Sequence, residues 1–223
     1  MRKSNPVKAW AWGASLALML AANETAWSQG VVYVVPPQPY HYSDLPTSQN
    51  IDVNGDGIAD FNLSSPNGIQ IDLNPLNNNS ILAVPEPSPD IGVLIAALTQ
   101  GVPIPTSASS LDPAFVWHGT NSPSGGSATI VAVSSIGSIG YFQGHTNAYA
   151  GFELNMGNAN YLGWFYIQNL GANIGQISEW AYESTPSIPI AAGAVSEPSA
   201  WVLTIIGGLA GLTPAWVRRI KKL

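Results

Sequence analysis

The 223-residue chain has a formal charge of −6, and its seven bases are Arg2, Lys3, Lys8, Arg218, Arg219, Lys221 and Lys222, with none between Gln29 and Glu197. That stretch holds twelve of the thirteen carboxylates, so it cannot neutralise phosphates, which excludes nucleic acid as a partner, and anionic lipid headgroups repel it as well. The chain has no cysteine, which excludes disulfides, thiolate metal sites and cysteine nucleophiles.

Only 9% of residues are charged, far below the usual quarter. Amide and hydroxyl side chains supply the polarity instead, which is not the high-charge signature of disorder. The length suits one ordinary domain with targeting segments at its ends.

Met1–Ser28 is expected to be a secretory signal peptide. Arg2, Lys3 and Lys8 form a basic start, and Ala9 to Ala22 an apolar core of 14 residues, too short to span a bilayer comfortably. Ala26-Trp27-Ser28 places small residues at −3 and −1 for cleavage before Gln29. An uncleaved anchor is the competing reading.

After the signal come short β-rich runs separated by Gly, Pro, Asn and Ser. The expected strands are Val31–Val35, Gly68–Leu73, Ser80–Val84, Ala128–Val133, Ala148–Leu154, Tyr161–Gln168 and Gln176–Glu183. Ile91–Leu98, apolar and Ala-containing, is expected to be the one helix. Pro36-Pro37-Gln38-Pro39 and Val84 to Pro89 read as extended connections, and Ser122–Ser127 as a loop. In Tyr161–Gln168 both alternating residue sets are largely apolar, as a central strand covered on both faces requires. The expectation is an all-β fold: residues 29–194 as a single antiparallel, jelly-roll-like β-sandwich, flanked by an N-terminal signal helix and a C-terminal transmembrane helix.

One loop is a candidate metal site. Asp52-Val53-Asn54-Gly55-Asp56-Gly57-Ile58-Ala59-Asp60 carries side-chain oxygens at positions 1, 3, 5 and 9 and Gly at 6. Alternate side chains of such a loop can converge on calcium, a hard cation, with the Ile58 carbonyl as a further ligand. Position 12 is Leu63 rather than a bidentate Glu, and no helices are expected to flank the loop, so an EF-hand is rejected. Any calcium affinity belongs in the weak extracellular range, around 10⁻⁴–10⁻³ M. An ion-free Asx-rich hairpin turn is the competing reading. Asp72, Asn74, Asn77, Asn78 and Asn79 form a second, weaker polar cluster.

Catalytic motifs are missing. His41, His118 and His145 are isolated in sequence, and no Gly-x-Ser-x-Gly elbow, Walker loop, Rossmann fingerprint or His-Glu-x-x-His occurs. A glycosidase needs two carboxylates, which Glu153, Glu179 and Glu183 could supply; solvated acids on a strand face are the plainer reading. Trp164, Trp180 and Tyr182 could stack on sugars, but a small sandwich also needs such side chains to fill its core.

The chain closes with Val195-Ser196-Glu197-Pro198-Ser199, 18 apolar residues from Ala200 to Val217, and Arg218-Arg219-Ile220-Lys221-Lys222-Leu223. As a helix the apolar segment would be about 27 Å long. The basic tail should stay cytoplasmic, and a plain tail anchor would share this hydropathy. This tripartite segment resembles the PEP-CTERM sorting signal, also catalogued as the ice-binding protein C-terminal domain. Glu197, Pro198 and Ser199 match its motif, with Ser196 in place of the first proline. The resemblance implies recognition and cleavage near Glu197 by an exosortase-type membrane protease. A second set of motifs resembles the closing segment of many PEP-CTERM surface proteins: Tyr149-Ala150-Gly151-Phe152, Tyr161-Leu162-Gly163-Trp164 and Ala181-Tyr182-Glu183-Ser184-Thr185-Pro186.

Together these features lead to the expectation of a non-enzymatic, exported protein. Its partners would be the secretion translocon, signal peptidase, an exosortase-type protease, the membrane through residues 200–217, and exopolysaccharide. It would be anchored in the inner membrane in transit, then released to the cell envelope, cell surface or medium. A carbohydrate-binding module is the first alternative and a secreted glycoside hydrolase the second. Ice binding is set aside, because no Thr repeat is present.

Overall fold

A computed structural model of the chain describes residues 30–42, 48–66, 70–85, 93–111, 115–120, 128–134, 137–142, 145–171 and 174–195. The signal segment 1–28, Glu197, Pro198 and Ser199, the apolar segment 200–217 and the basic tail Arg218, Arg219, Lys221 and Lys222 lie outside these residues, as does loop 122–127. Among the described residues no helix is long and apolar enough to cross a membrane.

The described chain is all-β. Its strands are β1 (Val31–Val34), β2 (Tyr40–His41), β3 (Gln49–Ile51), β4 (Phe61–Ser64), β5 (Gln70–Pro75), β6 (Ser80–Pro85), β7 (Val93–Ile95), β8 (Pro103–Ile104), β9 (Val116–Gly119), β10 (Ala128–Ser134), β11 (Gly137–Ile139), β12 (Asn147–Met156), β13 (Ala159–Gly171), β14 (Ile174–Glu183) and β15 (Ile190–Ala191). A single 3-10 turn, Ala108–Ser110, is the only helical element among the described residues.

Every strand expected from β-rich runs is present. The expected helix Ile91–Leu98 is not: Val93–Ile95 is a buried strand, and Leu98 bridges to Tyr149. An apolar run this short has no helical period to distinguish it, and two flanking strands decide its conformation. Short strands such as Tyr40–His41 and Pro103–Ile104 carry no alternation of their own. They exist because a neighbouring strand offers them a free edge.

Thirteen strands form one mixed sheet in the order β1-β14-β13-β12-β6-β7-β10-β5-β4-β3, with β2 on β14, β9 on β6 and β11 on β10. β8 and β15 form a separate pair. The sequence led to a wholly antiparallel expectation; the sheet is instead mixed, because β7 and β10 pair in parallel, Ala128 opposite Val93. The linker between β7 and β10 is long enough to return the chain in the same direction. At β6 the sheet divides. Ile81 pairs with Phe152 of β12, Ala83 with Ile95 of β7, and β9 takes the other edge.

One hairpin and one tight turn between strands not paired with each other are set by local chemistry. Gly157 and Asn158, at φ 58° and 76°, join β12 to β13 with Met156 opposite Ala159. Asn77 and Asn78, at φ 51° and 63°, join β5 to β6. Two consecutive positive-φ residues are what a type I′ turn requires, and Gly and Asn tolerate that conformation best.

The alternation read in Tyr161–Gln168 is realised. Phe165 and Ile167 enter the main core, while Leu162 and Trp164 enter a second cluster on the opposite face. In the main core Phe61 of β4 lies 5.5 Å from Phe152 and 5.1 Å from Phe165, centroid to centroid. Since β4 stands near one end of the strand order and β13 near the other, these contacts require the sheet to curl over itself. Trp180 ties the same two regions by donating its indole N–H to the Val53 carbonyl at 3.1 Å. On the opposite face, residues 96–111 and 190–194 cover Leu82, Leu162 and Trp164.

Candidate functional site

The loop from Asp52 to Asp60 links β3 to β4 and is ordered by its own side chains. Asp52 accepts the amide N–H of Gly55 and of Gly57, both at 2.7 Å. Asn54 Oδ1 accepts from Asp56 N at 2.9 Å, and Asp56 Oδ1 from Ile58 N at 2.8 Å. Gly55 and Gly57 sit at φ 78° and 87°, which an L side chain would strain. Sequence alone thus explains the loop's shape: short Asx side chains capture the amides two to five residues on.

Asp60 behaves differently. It is buried, and its Oδ2 accepts from Val53 N at 2.9 Å. Asn79 donates to the Asp60 carbonyl at 3.0 Å and to Oδ1 at 3.2 Å, while its own oxygen accepts from Asn155 N at 2.6 Å. Burial raises the Asp60 pKa, and the hydrogen bonds from Val53 and Asn79 oppose the rise. The residue closes the loop onto the β5–β6 turn and β12.

Among the described residues no three carboxylate or imidazole groups gather as a metal site would need. Asn54, Asp56, Ile58 and Asp60 do line an open cleft of about 520 Å³. Asn155, Gly157 and Tyr182 also line it. Asp52, engaged with two amides, is not among the lining residues. The donor set is all oxygen, which suits a hard cation. Carboxylates that accept one N–H per oxygen still hold spare lone pairs.

The second polar cluster is dispersed. Asp72 is buried, accepting from Thr129 at 2.9 Å and from Gln70 at 2.8 Å. Asn74 reaches Ser64 and the amide of Ala128. Two of its members reach the candidate loop: Asn79 through Asp60, and Asn77 by donating to the Ala59 carbonyl at 2.8 Å.

Trp164, Trp180 and Tyr182 are buried, at 1%, 3% and 9% exposure, so none is a free stacking platform. Glu179 and Glu183 do share a strand face. Four positions along a strand separate them by roughly 13 Å, wider than the paired carboxyls of a glycosidase. Glu183 is buried and accepts from Thr185 N at 3.3 Å, and Glu179 accepts from the Tyr33 hydroxyl. Glu153, on β12, is half-buried, and burial pushes its pKa up to about 7. His118 is buried, and its pKa is lowered by that burial.

The sequence reading missed an aromatic group on the face opposite the main core. Tyr33, Trp164, Tyr149 and Tyr166 follow one another at ring-centroid spacings of 6.2, 5.2 and 5.1 Å. They come from three strands, and the register across β1, β14, β13 and β12 brings them together.

Comparison of the chain with protein-family models, curated proteins and solved structures finds no match.

Proposed function

We propose that this chain is an exported, non-enzymatic protein of the cell envelope or extracellular matrix, delivered by the secretory route and released by an exosortase-type protease acting near Glu197. The carrying observation is the placement of charge. All seven bases fall in segments 2–8 and 218–222, and the β-rich body between them has none. The basic flanks of short apolar segments stay on the cytoplasmic side, and a body without Lys or Arg offers nothing to retain it there.

The curled sheet is read as a jelly-roll-like sandwich, with Phe61 packing across from Phe152 and Phe165 as its support. The loop Asp52–Asp60 is proposed to take calcium weakly through Asp52, Asn54, Asp56, the Ile58 carbonyl and Asp60. The alternation of oxygen donors, and the place of Asn54, Asp56, Ile58 and Asp60 along one cleft, support this. The ion would add charge neutralisation to a loop that hydrogen bonds already shape. The acidic, amide-rich surface is proposed to associate with surface polysaccharide.

Mass spectrometry of the protein recovered from envelope and medium fractions tests the location and processing. The expected product begins near Gln29 and ends near Glu197. Full-length chain in the cytosol, with both ends intact, would refute the reading.

A further inference from the structure

We propose that the face of β1, β12, β13 and β14 opposite the main core is a stacking strip for a neutral polysaccharide, formed by Tyr33, Tyr149 and Tyr166 over Trp164 with Glu179 as its polar anchor. The inference rests on the polysaccharide association proposed above and assigns it to residues.

The geometry is that of a ladder. Tyr33 lies 6.2 Å from Trp164 at 42°. Tyr149 meets Trp164 edge-on at 5.2 Å and 89°, then Tyr166 at 5.1 Å and 43°. Trp164 is the buried floor: its indole N–H donates to the Ala194 carbonyl at 3.1 Å. Tyr33 is exposed at 38%, and Tyr149 and Tyr166 are half-buried. Tyr33 is the exposed member, while Tyr149 and Tyr166 pack partly against the second cluster, Tyr149 with its hydroxyl end beside Gly193, so the rings have little rotamer freedom left to lose on binding.

Polar groups converge on the same strip. The Tyr33 hydroxyl donates to Glu179, and that bond, with burial, pushes the Tyr33 pKa up to about 12. Burial raises the Tyr149 pKa, and the nearness of Tyr166 and Glu179 raises it further. Among the described residues the hydroxyls of Tyr149 and Tyr166 make no hydrogen bond, and both tyrosines neighbour the Glu179 carboxylate. A pyranose ring has an apolar C–H face and an edge of hydroxyls, and the strip offers a partner to each.

Charge selects the occupant. Glu179 is the strip's one acidic side chain, and no Lys or Arg occurs from residue 30 to 195. A uronic or sulfated polymer would be repelled, while a neutral chain loses nothing on approach.

The test is affinity electrophoresis of the full chain in a sugar-free detergent. Native gels are cast with hydroxyethyl cellulose, laminarin or galactomannan, and with carboxymethyl cellulose as the anionic control. At least one neutral polymer should retard the protein, and the anionic one should not. Tyr33→Ala, Tyr166→Ala and Glu179→Gln should each weaken retardation about tenfold, the size of one lost stacking contact or hydrogen bond. Tyr141→Ala, an exposed residue outside the strip, should leave it unchanged. Should Tyr33→Ala fail to fold, Tyr33→Phe keeps the ring and removes only the bond to Glu179. Retardation by none of the three neutral polymers, or equal retardation of the strip variants, would overturn the proposal. Fractionation and electrophoresis can fail independently, so a misplaced location and a misassigned strip are distinguishable.

Discussion

Truncating Phe61 to alanine tests the curled architecture at its closing contact. The ring is fully buried on β4 and meets Phe152 and Phe165 at 5.5 and 5.1 Å, the latter at 87°. Phe→Ala in a close-packed core costs about 3–5 kcal/mol through lost transfer energy and the remaining cavity. For a chain of this size that lowers the melting temperature by roughly 6–20 °C. Phe61→Leu keeps most of the volume and should cost about 1 kcal/mol. The edge-on geometry adds a testable coupling. Phe61→Leu combined with Phe165→Leu should be less damaging than the sum of the two singles, by about 0.5–1.5 kcal/mol. Urea unfolding followed by tryptophan fluorescence reads all four proteins, because Trp180 lies 6.2 Å from Phe165 and reports on this core. A loss under about 1 kcal/mol for Phe61→Ala, or zero coupling with Phe165, would mean that β4 does not seat on β12 and β13.

Other outcomes follow from single contacts. Gly163→Ala would place its methyl 2.3 Å from the Phe152 ring and 2.5 Å from the Ala181 carbonyl; overpacking against backbone should cost about 1–3 kcal/mol in urea unfolding. Asp60→Ala strips the acceptor from Val53 N and Asn79, and leaving buried donors unpaired should cost about 2 kcal/mol. Millimolar calcium should raise the melting temperature of the native chain but not of Asp52→Ala or Asp56→Ala, and no shift in the native chain would remove the calcium proposal. Glu153 predicts a pH dependence. Its carboxyl has a pKa of about 7 folded against an ordinary 4.5, so the folded state holds the proton more tightly. That contribution is fully present below about pH 4.5 and is lost as pH rises to about 7. Glu153→Gln should flatten this part of the stability profile, and an unchanged profile would show that another group causes it.

Several features were legible in the residues alone because they depend on neighbours a few positions away. Alternation of side chains marked the long strands, and the two apolar sets of Tyr161–Gln168 marked β13 as covered on both faces, as the cores show. Asx side chains and glycines marked the loop from Asp52 to Asp60, since its hydrogen bonds reach at most seven residues. The placement of charge, which carries the proposal of export, is a property of the chain before it folds.

Tertiary structure alone decided the rest. Val93–Ile95 became a strand because β6 and β10 flank it, and its own apolar run could not choose between helix and strand. Asn79, 19 residues from Asp60, joined the loop only when the β5–β6 turn packed beneath it. The alignment of Tyr33 with Trp164 spans 131 positions and follows from register across β14, where Ala181 pairs with Tyr33 on one side and Trp164 on the other. Contacts between distant strands are set by which edges meet and in what register, and a linear pattern with a period of two residues does not encode either.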